Sequence, residues 1–469
     1  MLKRIIIALF CVFLLISCSS SPNTESLPNF INENSSVSYN GMNIVIYTEE
    51  GENGPCLLEY EDDQSIQADA MRNRLSDIEN NLDVNLELSS KGAAVFDSFY
   101  ITAIGSGLKP VDIFYRGGDN SLWDLADAGV LMPITNFPDY IDLNDQDKYG
   151  TPGVLEAAMI NGVPYAVQPT YWPGLQGVEC FFLTYNADKF QTLGLTPLHE
   201  YYENETWTWD TFKSFCDIAA PLISSENSEY VFSARDMYLL NMMFYSNGFD
   251  YVDMVDGEPR LNLYADSAVH SIEFFQDLLT YGNKIEHCSS HHDYDSFIEE
   301  RALTKLAMAK ALIVGKIAYD ANFAYNIMPF PCGPDVEYGS WAQTVTRING
   351  LAIPITVESP DISAHIISEL CEPFEEFGGS REGILDYYKQ NVFLSDLDVD
   401  VFFDVEKYVR FDYDDPRLLF DYTDEIAVNA SKGSAVELIQ KYASGAEQVY
   451  YKHIEPNLVG YMIEHMNID

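Results

Sequence analysis

Basic residues are scarce in this chain of 469 amino acids. Lysine and arginine together number 26, against 73 aspartates and glutamates, and the formal net charge is −47. A surface of this kind repels phosphate backbones and anionic lipid head groups. The composition therefore excludes nucleic-acid binding and predicts a soluble, self-repelling body that we expect to be a monomer.

Cysteine is sparse as well, and no two cysteines have Cys-x-x-Cys spacing. The six that follow Cys18 are too scattered to predict a disulfide framework, and several suit buried free thiols: Cys56, Cys180, Cys216, Cys288, Cys332 and Cys371. The motifs G-x-S-x-G, H-E-x-x-H and the Walker loop are also missing, so we expect neither the enzymes that use them nor a cofactor.

The apolar run at the start of the chain, Ile5 to Ile16, is too short to cross a hydrocarbon core of about 30 Å. Lys3 and Arg4 precede it, and small residues follow it, which predicts a secretion signal over residues 1–17. The ending Leu15-Ile16-Ser17-Cys18 resembles a bacterial lipobox. That resemblance implies a lipid on Cys18 and anchoring at the extracellular face of the cytoplasmic membrane. Residues 18–40 have too few large apolar side chains for a core, so we interpret them as a flexible tether.

A chain of this length exceeds what one hydrophobic core usually organises, so we expect two lobes. In the first, strands at 43–47, 84–88 and 111–115 alternate with helical patterns at 71–82 and 93–105, which predicts a parallel sheet with right-handed crossovers. Ligands of such sheets bind beyond the carboxyl ends of the strands. This rule makes candidate ligand contacts of four side chains: Glu49, Tyr115, Arg116 and Asp119.

The second part of the sequence begins with an extended segment at 163–168, which we interpret as a hinge between lobes. A strand at 181–185 follows, and then a helix capped by Thr208. Further helices are predicted at 237–247, 267–279 and 296–311, the last from Ser296 and Glu299 in capping-box spacing. We expect a buried strand at 350–355 and a mostly helical chain after residue 362.

Several ordered segments together resemble the extracellular solute-binding proteins of ABC importers, in the group that includes maltose-binding protein. They are the lipobox, Val111-Asp112-Ile113 with Gly129-Val130-Leu131, Asn161-Gly162-Val163-Pro164-Tyr165, Leu183-Thr184-Tyr185-Asn186 with Trp207-Thr208-Trp209-Asp210, and Phe330-Pro331 before Asn349-Gly350-Leu351-Ala352. The segment from Pro169 to Cys180 is longer than is usual in that family.

The resemblance implies an α/β, two-lobed fold of the periplasmic-binding-protein type II kind, with mostly parallel sheets flanked by helices, hinge crossovers and a helical C-terminal region. It places lobe 1 at 41–165 and 330–365, and lobe 2 at 166–329 and 366–469. Its implied activity is capture of a small solute, here a carbohydrate and most simply an oligosaccharide, for an ABC permease. Binding would favour the closed state through contacts with both lobes.

Aromatic side chains near the expected cleft could pack against sugar rings, although packing between loop and lobe would explain them equally. The candidates are Tyr171, Trp172 and Trp341, with Asn247 as a polar contact or a helix end. Trp207 and Trp209 occupy a helix start and are predicted to be structural. The cluster His287, Cys288, His291 and His292 lies in one loop, so we expect a polar loop and no metal site.

Two other classes of function stay open at this point. A surface glycoside hydrolase needs a pair of carboxyl groups about 5 to 10 Å apart, and a chain this acidic contains such pairs by chance. An adhesion lipoprotein would use the acidic surface itself and would need no cleft.

Overall fold

The computed structural model describes residues 37–48, 66–90, 96–117, 121–149, 155, 159–160, 162–169, 171–172, 175–176, 179–255, 258–313, 315–339, 343–347, 349–393, 395–410 and 421–455. Cys18, Glu49, Cys56, Asp119 and Trp341 lie outside these ranges, so the predictions for the signal, the lipid anchor and three candidate contacts are not addressed by it.

The strands of the described residues follow one another along most of the chain. They are β1 Met42–Thr48, β2 Val84–Ser89, β3 Ile113–Gly117, β4 Met159–Ile160, β5 Val163–Pro164, β6 Tyr171–Trp172, β7 Leu175–Gln176, β8 Glu179–Asn186, β9 Tyr230–Ala234, β10 Val252–Val255, β11 Glu258–Leu261, β12 Ile285–His287, β13 Ala302–Met308, β14 Tyr325–Met328, β15 Gln343–Arg347, β16 Asn349–Ala352 and β17 Val409–Arg410.

Helices separate most of these strands and dominate the last hundred residues, as predicted. They are α1 Ile66–Leu82, α2 Phe96–Gly105, α3 Ser121–Asp127, α4 Gln146–Tyr149, α5 Ala187–Leu193, α6 Leu198–Glu203, α7 Trp209–Ala219, α8 Asp236–Ser246, α9 Asp266–Leu279, α10 Asp295–Ile298, α11 Ala309–Ile313, α12 Lys316–Asp320, α13 Pro360–Leu370, α14 Arg381–Asn391, α15 Asp396–Tyr408, α16 Thr423–Asn429 and α17 Ala435–Val449. No described helix is both long enough and apolar enough to cross a bilayer.

The small sheet has four strands in the order β16-β3-β1-β2. β1 pairs in parallel with β2 and β3, as the strand and helix patterns predict, and β16 joins the edge in antiparallel register. Side chains alternate across it: Ile44 and Ile46 pack in one core with α13, while Tyr47 packs in another on the opposite face. This sheet is therefore covered on both faces, as parallel sheets require.

The large sheet has seven strands, in the order β12-β9-β13-β8-β15-β17, with β14 also paired to β8. Strands β12, β9 and β13 are mutually parallel, whereas β8 runs antiparallel to β13. Along β8, Phe181 and Leu183 face the core that contains α7 and α8, and Phe182 faces the core that contains α15. The alternation has the period of two that a strand imposes.

The helix start at Thr208 confirms the sequence prediction. The Thr208 hydroxyl accepts a hydrogen bond from the Thr211 amide, and the two residues form a capping box. Trp207 is fully buried and donates to the Pro329 carbonyl at 2.9 Å, and Trp209 stacks on Phe274 with ring centroids 4.5 Å apart. Both indoles are structural, as predicted.

The predicted helix at 296–311 is wrong. Its first turn exists as α10, but Glu300 adopts a left-handed φ of 60°, and the chain then continues as β13 before helix α11. All seven residues of β13 are buried between β9 and β8. The Ser296 hydroxyl donates to the Glu286 carboxylate instead of capping a helix. Pairing in the centre of a sheet thus outweighs a local helical pattern.

The lobe ranges stay a prediction, and the cores on the two sheets draw some of their side chains from both ranges. Phe330 and β15 belong to the large sheet and its core, although both fall in the range assigned to lobe 1. Trp172, Phe374 and Phe377 pack in the core of the small sheet, although all three fall in the range assigned to lobe 2. We assign each side chain to the sheet on which it packs, and its position in the sequence does not predict that packing.

Candidate functional site

The chain passes from the large sheet to the small sheet between β15 and β16, and a single residue separates these strands. Arg347, the last residue of β15, pairs with Glu179 at the start of β8. Asn349, the first residue of β16, pairs with Gly117 at the end of β3. The crossover therefore connects one end of each sheet directly.

These ends are the carboxyl ends of the parallel strands in both sheets. In the small sheet, β3 ends at Gly117, beside the start of β16. In the large sheet, β13 ends at Met308, which pairs with Phe181 near the start of β8. β15 ends at Arg347, which pairs with Glu179, the first residue of β8. Ligands of α/β sheets bind beyond the carboxyl ends of the strands. The two carboxyl edges, joined at the crossover, define the candidate site.

Close packing fixes the chain on the small-sheet side of the crossover. A Cβ placed on Gly350 would lie 2.8 Å from the Ala166 Cβ and 2.8 Å from the Leu122 Cδ1. Leu351 forms a bridge with Val167 of the segment predicted to be a hinge, with amide-to-carbonyl distances of 2.7 and 3.1 Å in the two directions. Only glycine fits at position 350, because any side chain there would push β16 away from Ala166 and Leu122.

On the small sheet, Arg116 lies one residue before the carboxyl end of β3, with 4% of its surface exposed. Its positive charge acts on Tyr100, whose pKa is raised to about 12 chiefly by burial, while Arg116 opposes that shift. The arginine is thus a cation held in a largely dry environment near the edge. Such a group binds carboxylates, phosphates or hydroxyls through several N–H donors.

Asp112, by contrast, lies at the amino end of β3, away from the candidate site. Its carboxylate accepts hydrogen bonds from the Val45 amide at 3.0 Å and the Lys109 ammonium at 3.0 Å. These contacts fix the entry of the chain into the sheet. Asp112 therefore forms a structural ion pair with Lys109.

On the large sheet, the end of β9 and the start of α8 carry Arg235, Asp236 and Tyr238. Asp236 Oδ1 lies 2.7 Å from the Nδ1 of His287, the last residue of β12. This hydrogen bond raises the pKa of His287, and partial burial opposes the rise. The Arg235 guanidinium carbon lies 5.5 Å from the centroid of the Tyr238 ring, and its Nη2 lies 3.5 Å from Asp424 Oδ1.

The Tyr238 ring is the centre of an aromatic group at this edge. Its centroid lies 4.8 Å from Phe181 and 4.8 Å from His291, and His291 lies 3.9 Å from His292. We call Arg235, Asp236, Tyr238, His287 and His291 the large-sheet cluster. It combines aromatic rings, charged groups and a titratable imidazole at a carboxyl edge.

This cluster was not predicted from the sequence, because the strands that assemble it are distant in sequence. Local patterns indicate only a helix at 237–247 and a polar loop at the histidines. The pairing of His287 with Ala234 in parallel register brings the two segments together. A prediction of this cluster would have required β13 to be recognised as a strand, because β9 lies between β13 and β12 in the sheet.

Three side chains predicted to contact the solute, Tyr115, Tyr171 and Trp172, belong to the small sheet or follow the predicted hinge. The Trp172 indole is 1% exposed, donates to the Leu370 carbonyl at 2.7 Å, and lies 4.8 Å from the buried Tyr115 ring. The backbone of Tyr171 belongs to β6, and its side chain is outside the described part of the structure. Ligand contact by these residues stays a prediction.

Asn247 ends helix α8, and both ends of its amide group are engaged. Its Nδ2 donates to the Asp335 carboxylate at 2.6 Å and the Ser267 carbonyl at 3.0 Å, and its Oδ1 accepts from the Asp335 amide at 2.9 Å. Asp335 also contacts His270 Nδ1 at 2.8 Å. The helix-end interpretation accounts for these contacts, and solute contact by Asn247 stays a prediction.

The histidine-rich loop does not gather into a metal centre. Among the described residues, no group of three or more histidine, cysteine or acidic side chains has the geometry to hold an ion. His287 is turned toward Asp236, and the Cys288 sulfur is turned toward Lys305 and Ser233.

Comparison with solved structures shows a two-lobed solute-binding fold. An ABC substrate-binding protein from Listeria monocytogenes in complex with cycloalternan matches at a TM-score of 0.64 and 13% identity, over 88% of this chain and 99% of that one. The sugar-binding protein MalE from Xanthomonas citri matches at 0.61 and 13%, over 91% and 100%. UgpB from Mycobacterium tuberculosis in complex with glycerophosphocholine matches at 0.62 and 15%, over 88% and 99%.

The chain belongs to the family described as bacterial extracellular solute-binding protein, which it matches over residues 100–374. A comparison with curated proteins found no match. The family and fold expected from the sequence are thereby confirmed, and the family consists of binding proteins. At these identities the structural likeness shows the fold alone.

Proposed function

We propose that this protein captures a carbohydrate, most simply an oligosaccharide, between the carboxyl edges of its two sheets and delivers it to an ABC permease. The observation that carries the proposal is the one-residue crossover, which joins those two edges. A solute that touches both edges stabilises their approach by its contacts with each. The function is capture and release, so the protein needs no catalytic residues.

Ring faces and charges of the large-sheet cluster support a sugar as the solute. His291, held in place by the buried Tyr238 ring, offers a plane against which the C–H face of a pyranose can pack, and Asp236 and Arg235 offer an acceptor and a donor for hydroxyl groups. Arg116 supplies further donors from the small sheet. The names of two neighbours, one bound to cycloalternan and one called sugar-binding, point to the same class of solute.

The remaining predicted contacts complete this proposal. Glu49 and Asp119 follow the carboxyl ends of β1 and β3 in sequence, and we assign them to the site together with Arg116, Tyr171 and Trp341. Trp172 and Tyr115 are buried side by side in the core of the small sheet, and we propose that they hold the carboxyl end of β3 in place. Asn247 fixes the end of α8.

A second solute class, a phosphodiester of glycerol, is favoured by the likeness to a protein in complex with glycerophosphocholine. Arg116 and Arg235 would then bind the phosphate. Competition between ligands distinguishes the two classes of solute. A neutral sugar cannot displace a phosphate that an arginine guanidinium binds through two hydrogen bonds.

The test is thermal denaturation of the unlipidated chain with a panel of neutral oligosaccharides, glycerophosphodiesters and uronic-acid sugars. A solute at a hundred times its Kd adds about 2.7 kcal/mol to the free energy of unfolding. We expect stabilisation by neutral oligosaccharides and recovery of the sugar unchanged. Stabilisation by phosphodiesters alone would replace the sugar by the second class, and release of shortened sugars would show a hydrolase.

We propose further that the protein is held at the outer face of the cytoplasmic membrane by a lipid on Cys18. Cells expressing the full chain with a labelled fatty acid should incorporate the label into wild type and not into Cys18→Ser. The matched control is Cys11→Ser, a change inside the apolar run that should leave the label in place. Equal labelling of the Cys18 variant would exclude the anchor.

A further inference from the structure

Lys305 is a fully buried lysine in the middle of β13. Its Nζ lies 3.2 Å from the Cys288 Sγ and 3.2 Å from the Ser233 Oγ, and 5.6 Å from the centroid of the Tyr294 ring. It forms no ion pair with any carboxylate of the described residues. Burial of an ammonium without such a partner is costly.

The Ser233 hydroxyl links this amine to the nearest acid. It lies 2.6 Å from Glu286 Oε2, to which it donates, and it accepts from Lys305. Ser296 also donates to the Glu286 carboxylate. The carboxylate thus acts on Lys305 through one intervening hydroxyl and leaves the amine directed at the sulfur.

Cys288 follows β12 directly and is 8% exposed. Burial raises the pKa of its thiol, while the charge of Lys305 and the hydrogen-bond contacts with Ser233 and Lys305 oppose that rise. Its sulfur lies 3.2 Å from Ser233 Oγ. A small oxidant can reach this sulfur more easily than the sulfurs of Cys216 and Cys371, which are 1% and 2% exposed.

We propose that Cys288 and Lys305 form a sulfenamide, a covalent sulfur–nitrogen bond, when the protein meets a hydroperoxide. Hydrogen peroxide first converts the Cys288 thiol to a sulfenic acid and is itself reduced to water. Lys305 passes a proton through the Ser233 hydroxyl to the Glu286 carboxylate, and the resulting amine attacks the sulfenic sulfur. The hydroxyl group leaves as water with one further proton from the amine. Sulfenic acids condense with neighbouring nitrogen in this way, and thiols reverse the product.

The adjacent amine determines the outcome of the oxidation. A sulfenic acid without a partner is open to further oxidation to sulfinic acid, which is irreversible for most proteins. With Lys305 at 3.2 Å, condensation competes with that step. The bond would protect the cysteine and tie the chain after β12, which carries His291, to the central strand β13.

The test is peptide mass analysis of the full chain after treatment with hydrogen peroxide under native conditions. We expect a cross-linked pair of peptides containing Cys288 and Lys305, lighter by two hydrogen atoms than the sum of the free peptides, and separated again by dithiothreitol. Cys288 should react on the order of tenfold faster than Cys216 or Cys371, because its sulfur is more exposed and faces an amine. These two cysteines are internal controls.

The variant Lys305→Met should abolish the cross-link and give sulfenic and sulfinic acid at Cys288, whereas the matched variant Lys310→Met should keep the cross-link. If Lys305→Met does not fold, the peptide map of the wild-type chain decides alone. Oxidation of Cys288 with Lys305 left free would overturn the proposal. Oxidation of Cys216 and Cys371 with Cys288 unchanged would overturn it as well.

Discussion

Asp236 and His287 form a hydrogen bond of 2.7 Å between the start of helix α8 and the end of strand β12. The two residues are distant in sequence and meet because β9 and β12 are parallel neighbours. The contact ties together two segments of the large-sheet cluster. Its strength depends on the protonation of the imidazole.

Stability should therefore depend on pH through His287. Its pKa in the folded protein is raised above the ordinary value by Asp236. The stabilisation is fully present below the unfolded pKa of about 6.5 and is lost as pH rises through the higher folded value. Because the side chain is 43% exposed, we expect an effect below about 1 kcal/mol.

Urea denaturation of wild type and His287→Gln at about pH 5 and about pH 8 measures this effect. The wild type should exceed the variant in stability by more at the acidic pH. Asp236→Asn should remove the same difference, since it removes the partner. A gap between wild type and His287→Gln that is equal at both pH values would contradict the assignment.

Replacement of Arg235 by glutamine should weaken solute binding with little effect on folding. The guanidinium lies against the Tyr238 ring at the carboxyl edge, and its ion pair with Asp424 is partly exposed. Loss of a charge-assisted contact should raise Kd on the order of tenfold, while the lost ion pair costs at most about 1 kcal/mol. Calorimetric titration with the solute found by thermal denaturation gives Kd.

The control for this prediction is Arg260→Gln. Arg260 is also paired with a carboxylate, Glu258, at 3.5 Å, but its side chain is 61% exposed on the hairpin of β10 and β11. Kd should stay unchanged in that variant. Equal weakening in both variants would assign the effect to overall charge.

Gly350→Ala should destabilise the protein by about 1–3 kcal/mol, the usual cost of overpacking. The new methyl group would lie 2.8 Å from Ala166 and from Leu122, and both belong to segments packed at the crossover. Gly445→Ala is the matched control, because no atom lies within 4 Å of its Cβ position and it occupies helix α17. That change should be neutral or stabilising by up to about 1 kcal/mol. Chemical denaturation of wild type and both variants measures these changes in the free energy of unfolding.

Trp172→Phe should lower the free energy of unfolding by about 1–3 kcal/mol, because it leaves the Leu370 carbonyl without its donor in a buried environment. The indole N–H reaches that carbonyl at 2.7 Å. Kd for the solute, measured on the folded variant, should stay within about twofold of wild type. A larger rise in Kd with unchanged stability would support the ligand contact predicted from the sequence.

Local patterns predicted the small sheet well. The apolar run of β1, the alternation in β2 and the apolar spacing of α1 depend on neighbours in the chain, and these elements lie where the sequence indicates. The large sheet was harder, since its central strand β13 reads Ala-Leu-Thr-Lys-Leu-Ala-Met and includes strong helix formers. Only burial between two partners makes it a strand.

The candidate site shows the same limit. Arg116 was predicted because it follows a strand that the sequence reveals. Arg235 and His287 were missed because their proximity depends on the order of strands in the large sheet. Trp172 was predicted as a contact from its loop composition, but its burial depends on α13, almost two hundred residues further along the chain.

The single residue between Arg347 and Asn349 limits how the two sheets can move. One amino acid spans at most about 3.6 Å, so the sheets cannot separate at this point. The connection therefore keeps the carboxyl edges of the two sheets together, and glycines inserted between Arg347 and Asn349 would allow those edges to move apart.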